Sequence, residues 1–359
     1  MSQFTQEQVR ALELCSGCPR LCHFSCPSAH GAASEEATAW AMMSLANAER
    51  AGQLALDADI SRAVYRCASC LRCRSFCKHG NDVPDALRVA RERAVEARLE
   101  PAAIVELGRE LEGALHRDLL ARASALLDLR QRTASAALHL TATWLTSDER
   151  VTRLRRLVGL LELMAGETFS LWLEPLDASS GAVAARAGLR DLALRQAASL
   201  SERSSKVKRV VSDCPDTVVA LGERGEHLIA FLARHAAVLR SRTSKLPRES
   251  VTWHGGCRER RVLDLTELER TVFVAAGGEP DAILDLRGEP ECCGGEAVFA
   301  SVFAPDARAA ARSLHARTSR VGVGFITSSS HCADHFARSG ASGVRSLVDW
   351  VVERSAPQA

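Results

Sequence analysis

Cysteine is the residue type whose spacing most directly indicates chemistry in this chain. Of the 13 cysteines, eight fall between positions 15 and 77, none between 78 and 213, and five between 214 and 332. Thiolates bind iron and zinc, so this grouping indicates metal sites. The first ten residues are polar and show no secretion signal, so we expect a reducing compartment, in which cysteines are thiols or metal ligands before they are disulfides.

The eight N-terminal cysteines form two runs of four. The second run has the spacing C-x2-C-x2-C-x3-C, in which a tight loop offers three thiolates to one [4Fe-4S] cluster and the fourth cysteine reaches another cluster. Two such runs predict two clusters that exchange their fourth ligands. The predicted ligands are Cys15, Cys18, Cys22 and Cys77 for the first cluster and Cys67, Cys70, Cys73 and Cys26 for the second.

Both runs depart from the usual pattern at one point. Three residues instead of two separate Cys18 from Cys22, and Lys78 stands where a proline is usual. The alternative is a pair of four-cysteine zinc sites, because zinc also accepts four thiolates and C-x2-C is its common signature. Two complete four-cysteine runs, the first closing on Cys26-Pro27, favour the clusters.

Helices are expected to hold these runs in place. Ser34 is a candidate N-cap for a helix that stops at Gly52, while Asp82 and Pro84 open another helix. The sequence therefore predicts a helical two-cluster ferredoxin-like domain over residues 1–100. A helical linker is expected over residues 101–130.

The remainder of the chain is expected to be α/β, which makes the whole an α+β multi-domain protein. Apolar runs such as those at 207–212 and 321–327 are each followed by a helix-like segment. The sequence also matches itself at an offset of 115 residues, which places His139 on His254. We interpret this match as two similar lobes, at 131–235 and 240–359.

In the second lobe, cysteines stand where β-runs end and helices begin, as in the pattern Cys257, Cys292-Cys293-Gly294 and Ser329-x-x-Cys332. After a two-cluster run, this pattern resembles the iron–sulfur proteins with duplicated cysteine-rich CCG domains. These include heterodisulfide reductase subunits, the iron–sulfur subunits of glycolate oxidase and anaerobic glycerol-3-phosphate dehydrogenase, and the lactate-utilisation proteins. The resemblance implies an electron-transfer subunit that works with a flavoprotein and passes electrons to a quinone, a disulfide or another carrier.

The two lobes differ in how much of the CCG pattern they retain. In the first lobe, other residues replace the family cysteines except at Cys214, so we expect a degenerate lobe without a metal. The replacements are Ala142, Asp177, Ala178 and Thr217.

The second lobe keeps four of the five family cysteines, and Ser329 replaces the fifth. We expect a third centre there, iron–sulfur or zinc, or alternatively a reversibly oxidised thiol group, with Cys292 and Cys293 as the candidate reacting thiols. Nearby histidines are candidates for metal binding or proton relay, or make ordinary hydrogen bonds: His254, His331 and His335. The predicted ligands of this centre are Cys257, Cys292, Cys293 and Cys332.

Composition limits the choice of partners. With 46 basic and 44 acidic residues, the chain has no overall charge that favours nucleic acid, and no run of about 18 apolar residues could span a bilayer. Neither a GxGxxG nor a Walker motif is present, so a flavoprotein dehydrogenase or reductase must supply the electrons.

The expected function is an electron-transfer subunit of an oxidoreductase, not catalytic alone, in the cytoplasm or attached through a partner to the inner face of the membrane. The alternatives are a redox-sensing or assembly protein and a zinc-containing scaffold.

Overall fold

A computed structural model describes residues 1–113, 133–145, 147–174, 180–280, 289–320 and 323–355 of the 359-residue chain. Helices precede the first strand, and mixed helix and sheet follow it. Among the described residues, no helix combines the length and the apolar composition that a membrane span requires. The predicted linker lies mostly outside these ranges, with only its first helix described.

The helices and strands have the following bounds. The helices are α1 Gln6–Ser16, α2 Pro27–Ala32, α3 Ala39–Arg50, α4 Ala58–Val64, α5 Arg72–Ser75, α6 Val83–Glu96, α7 Ala102–Leu111, α8 Asp148–Ala165, α9 Ala182–Arg186, α10 Arg190–Ser204, α11 Pro215–Leu221, α12 Leu228–Arg234, α13 Ala236–Thr243, α14 Cys257–Arg261, α15 Thr266–Ala275, α16 Ala297–Val302, α17 Ala304–Thr318, α18 Ser330–Arg338 and α19 Leu347–Arg354. The strands are β1 Ala136–Thr141, β2 Phe169–Glu174, β3 Arg209–Ser212, β4 Gly225–His227, β5 Val251–His254, β6 Gly324–Thr327 and β7 Val344–Ser346.

Capping side chains decide where two of the predicted helices begin. The start predicted at Ser34 is wrong, because its side chain makes no cap hydrogen bond and a three-residue 3-10 turn follows it. Helix α3 begins one turn later, where the Thr38 hydroxyl accepts a hydrogen bond from the Ala41 N–H at 3.3 Å. Helix α6 begins as predicted, with the Asp82 carboxylate accepting from the Asp85 N–H.

Two parallel sheets follow, with strand orders β2-β1-β3-β4 and β5-β6-β7. The 115-residue offset recurs in their strands: β1 and β5 begin at Ala136 and Val251, and β3 and β6 begin at Arg209 and Gly324. In each sheet the two equivalent strands are paired in parallel. The carboxyl ends of these strands therefore lie side by side, which is where parallel sheets place functional residues.

The apolar core joins these parts of the chain. One cluster of buried side chains includes Leu138 and Val211 from the first sheet and Trp253 and Ile326 from the second. A second cluster joins the N-terminal helices to α16 and contains Cys26, Cys67, Cys70 and Cys292. Cysteines that lie far apart in the sequence thus share one core.

Two buried histidines make the fold sensitive to acid. Burial, and then the nearby Arg203 cation, lower the pKa of His139 to about 3, and burial lowers the pKa of His227 to about 4. An unfolded histidine has a pKa of about 6.5, so each stabilises the fold above that pH and loses this contribution as the pH falls below it. The loss is at most about 1.4 kcal/mol per pH unit for each histidine.

We therefore expect the midpoint temperature of thermal unfolding to decrease when the pH is lowered from 7 to 5.5. The decrease should be smaller in a His139→Gln variant. His227→Gln is a second variant that should behave in the same way. Anaerobic thermal unfolding at both pH values measures the difference. Equal falls in the wild type and in both variants would contradict this account.

Candidate metal and thiol sites

The first predicted set of cysteines surrounds one cavity. A space of about 280 Å³ is lined by Cys15, Cys18, Cys22 and Cys77, together with apolar residues and Cys73. Burial raises the pKa of Cys15 to about 12, and the three neighbouring thiols Cys22, Cys18 and Cys77 add to this effect. Four thiols held this close do not ionise together unless a cation replaces their protons.

The second predicted set lies next to the first. Burial raises the pKa of Cys26 to about 12, and Cys70 and Cys67 contribute to the increase although backbone N–H groups oppose it. Burial likewise raises the pKa of Cys73 well above its usual value, with Cys70, Cys67 and Cys26 contributing. The structure thus brings Cys26 to the second run and Cys77 to the first, as the exchange of fourth ligands requires.

The eight N-terminal thiols are less tightly grouped than the ligands of a bound zinc ion. Tetrahedral zinc with Zn–S bonds of about 2.3 Å would bring its sulfurs to roughly 3.8 Å from one another. Among the described residues, one group of three or more Cys, His, Asp or Glu ligand atoms lies entirely within 4.8 Å, and it contains none of these eight cysteines. Binding of a single zinc ion would therefore require the thiols of either set to move closer together.

A buried arginine and strained backbone shape the loop of the second run. Arg91 donates hydrogen bonds to the carbonyls of Val64 at 2.9 Å, Arg186 at 2.7 Å and Cys67 at 2.9 Å. Ser69 and Leu71 have φ values of 49° and 61°, in the left-handed region that side chains disfavour. Such strain persists only where the surroundings enforce it, and Arg258 and Arg261 hold the backbone here by donating to the carbonyls of Ser69 and Cys70.

The four C-terminal cysteines gather at the carboxyl ends of β5 and β6. They form two pairs, with Cys257 Sγ 3.9 Å from Cys292 Sγ and Cys293 Sγ 3.5 Å from Cys332 Sγ. Gly294, with φ of 82°, turns the chain after the Cys292-Cys293 dipeptide, and its N–H donates to Cys292 Sγ at 3.3 Å.

His254 joins one of these pairs. The compact group within 4.8 Å consists of His254, Cys293 and Cys332, all buried. His254 Nε2 is buried without a hydrogen-bond partner, which is costly unless a ligand binds it. Two thiolates and an imidazole are a common donor set for zinc and fit iron as well.

The thiols of this site differ in their pKa values. The pKa of Cys293 lies well below its usual value, first because of its interaction with Cys292 and then because of its interaction with Cys332. The pKa of Cys292 lies well above its usual value because of its interactions with Cys257, Cys293 and Cys70. Of these two neighbouring thiols, Cys293 is therefore the more acidic.

The other predicted neighbours have different roles. His331 Nε2 pairs with the Gly295 carbonyl, and His335 Nε2 lies 3.1 Å from the Ala307 carbonyl. Ser329 hydrogen-bonds to the buried Glu259 carboxyl and is not part of the compact group. Ordinary hydrogen bonds thus account for His331 and His335, whereas the side chain of His254 interacts with the Cys293 thiol.

A cavity of about 120 Å³ opens in front of the four thiols. Its lining also includes Asp213, Cys214 and Asp216, which follow strand β3 of the first sheet. Arg186, 2.8 Å from Asp216, and Arg258, also paired with Asp216, complete the lining. The predicted replacements Asp177 and Ala178 lie outside the described residues, as does the side chain of Ala142.

Arginines also fasten this site to the loop of the second run. Arg261 donates to the Cys70 carbonyl at 2.9 Å, and Arg258 donates to the Ser69 carbonyl at 3.2 Å. Arg72 lies 3.6 Å from the Glu291 carboxylate, next to Cys292. These contacts hold Cys70 and Cys292 against each other.

No protein-family model matches the chain, and the comparisons with curated proteins and with solved structures found no match.

Proposed function

We propose that this chain is an iron–sulfur electron-transfer subunit of an oxidoreductase, with two [4Fe-4S] clusters in a ferredoxin-like N-terminal part. The observation that carries the proposal is the continuity of three cysteine sites. Cys73 of the second set lines the cavity of the first set, and Cys70 contacts Cys292 of the third site. Such a chain of sites suits stepwise electron transfer.

A bound [4Fe-4S] cluster supplies reversible one-electron chemistry, and the protein supplies ligands and electrostatics. Buried cysteines and apolar residues keep water away from the second set. The Cys292 hydrogen bond, and then the Arg261 and Arg72 cations, overcome the effect of burial and lower the pKa of Cys70 to about 6. The same cations favour a more negative, reduced site.

The first site offers a docking surface for an electron donor. Leu21, which lines its cavity, is 57% exposed, and Phe24 is 51% exposed and packs edge-on against Phe76 at 4.8 Å between ring centroids. Exposed apolar side chains grouped at a redox site are typical of protein contacts. A flavoprotein bound here would deliver electrons to the first site, from which they pass to the second and third.

A reduced flavoprotein that copurifies with this chain should therefore bleach the visible absorption of the reconstituted protein. Leu21→Asp with Phe24→Asp should slow this reduction about tenfold or more, because each charge opposes apolar docking. Reduction by dithionite, which needs no docking, is the control and should be unchanged. Clusters that accept electrons from dithionite but from no flavoprotein would favour the redox-sensor alternative.

The third site is proposed to hold a metal on His254, Cys293 and Cys332, which is a narrower set than the four cysteines predicted from the sequence. His254→Ala and Cys293→Ser should each lower the metal content by about one ion per chain if the ion is mononuclear. Cys257→Ser, in the neighbouring pair, is the matched control and should keep the ion. Elemental analysis shows whether the ion is zinc or iron. If Cys257→Ser lost the ion while His254→Ala and Cys293→Ser kept it, the proposed ligand set of His254, Cys293 and Cys332 would be contradicted.

A further inference from the structure

Two of the third-site thiols lie outside the compact group of His254, Cys293 and Cys332. Cys257 and Cys292 face each other with their Sγ atoms 3.9 Å apart, and both line the cavity in front of the site. Cys257 is half-buried, whereas Cys292 is buried. A reagent in the cavity can therefore reach this pair, which we call the Cys257–Cys292 pair.

Cys292, the buried member of the pair, contacts the loop of the second cysteine run. The Cys292 thiol interacts with the Cys70 thiol, and both residues belong to the same buried cluster. Arg261 fixes this contact from both sides, since it donates to the Cys70 carbonyl and also to the carbonyl of Pro290, two residues before Cys292. The pair is thus held between a cavity and a predicted cluster ligand.

We infer that Cys257 and Cys292 form a reversible disulfide that exchanges two electrons with the iron–sulfur sites on the Cys70 side. The electron source in this inference rests on the proposed function. The disulfide would convert one-electron steps within the protein into a two-electron step at the cavity.

The chemistry of the pair balances with two one-electron donors. Oxidation joins the two sulfurs and releases two electrons and two protons, and reduction breaks the Sγ–Sγ bond and takes them back. Two one-electron sites, each giving one electron, suffice for one disulfide. The two Sγ atoms must approach from 3.9 Å to a bond length of about 2.05 Å. The Gly294 N–H at 3.3 Å from Cys292 Sγ stabilises the thiolate that leaves on reduction.

The neighbouring pair is less suited to this role. Cys293 and Cys332 are closer, at 3.5 Å, but they share their compact group with His254 and are both buried. A metal bound there would protect both thiolates from oxidation. Cys214, which also lines the cavity, provides a control cysteine with a similar environment.

The test uses the full, anaerobically reconstituted chain and a small disulfide, oxidised glutathione, as the two-electron oxidant. Remaining thiols are alkylated, the protein is digested, and linked peptides are mapped by mass spectrometry. We expect one cross-link, between Cys257 and Cys292, without loss of iron. Cys257→Ser and Cys292→Ser should each abolish it, and Cys214→Ser should leave it intact.

Electron exchange is tested by adding dithionite to the oxidised protein. The cross-link should disappear about tenfold faster or more in the iron-loaded protein than in protein stripped of iron, because direct reduction of a partly buried disulfide is slow. Three results would each overturn this inference and leave the proposed function standing. They are equal rates of reduction, a cross-link between Cys293 and Cys332, and no cross-link in the iron-loaded protein. A chain that binds no iron would overturn both the inference and the proposed function.

Discussion

Replacing Cys77 with serine is expected to remove the iron of the first site and to leave the iron of the second in place. Cys77 belongs to the second run in the sequence, but in the structure it lines the cavity with Cys15, Cys18 and Cys22. A serine hydroxyl is far less acidic than a thiol with a pKa of about 8.5, so it is a poor substitute ligand. The iron bound by the N-terminal sites should fall by roughly half, since each site holds one four-iron cluster.

The mirror variant is Cys26→Ser, which should remove the second cluster and keep the first. Cys214→Ser, far from both sites in the sequence, is the control and should keep all the iron of the N-terminal sites. Electron paramagnetic resonance of the reduced variants identifies which signal disappears in each. Loss of the second signal in Cys77→Ser, with the first retained, would show that the fourth ligands are not exchanged.

The second large effect is expected for Arg91→Met. The Arg91 side chain is 1% exposed, and it is the donor to three carbonyls, of Val64, Cys67 and Arg186. Methionine fills a similar volume but leaves these acceptors without that donor, at about 1–3 kcal/mol for each group left unsatisfied. We expect a loss of about 3 kcal/mol or more, together with weaker cluster binding at the second site.

Arg109→Met, on the next helix, α7, is the matched control. Arg109 is exposed and pairs with Glu106, which is also exposed, within one helix turn. Such a surface pair contributes at most about 1 kcal/mol, so the thermal midpoint should change little. The comparison is made by anaerobic thermal unfolding with iron analysis of each variant. Equal losses in both variants would mean that the buried hydrogen bonds of Arg91 do not anchor the loop.

Sequence reasoning is most informative where a function depends on local spacing. The two cysteine runs are local patterns. The loop of the second run presents Cys67, Cys70 and Cys73 together because only two residues separate each of these cysteines from the next. The 115-residue offset is also visible without a structure, because strands with equivalent places in two sheets keep their apolar pattern. The cysteine runs identified residues that the structure brings together, and the offset identified strands that are paired equivalently in the two sheets.

The start of α3 shows the limit of local patterns. Ser34 and Thr38 are both good capping residues, and both precede apolar positions. Thr38 caps the helix because the face that begins at Ala39 is buried against the N-terminal core, and the chain before it turns in a 3-10 helix. Tertiary packing, which cannot be read from the local sequence, therefore determines where this helix begins.

The third site depended on contacts between distant parts of the chain. The sequence left iron–sulfur, zinc and reactive thiols open, because four cysteines suit all three. The division into two pairs, the position of His254 and the anchoring by Arg91 follow from helices and strands that meet only in the folded protein. One signal was available for His254, since the 115-residue offset aligned it with His139, another histidine buried in a strand.

The most direct test of the account is iron and acid-labile sulfide analysis of the full chain after anaerobic reconstitution, with electron paramagnetic resonance of the reduced protein. We predict about eight iron and eight sulfide per chain in the N-terminal sites, and signals from two reduced clusters. These values should fall by half in Cys77→Ser. Zinc in place of iron, or iron without sulfide, would contradict the account.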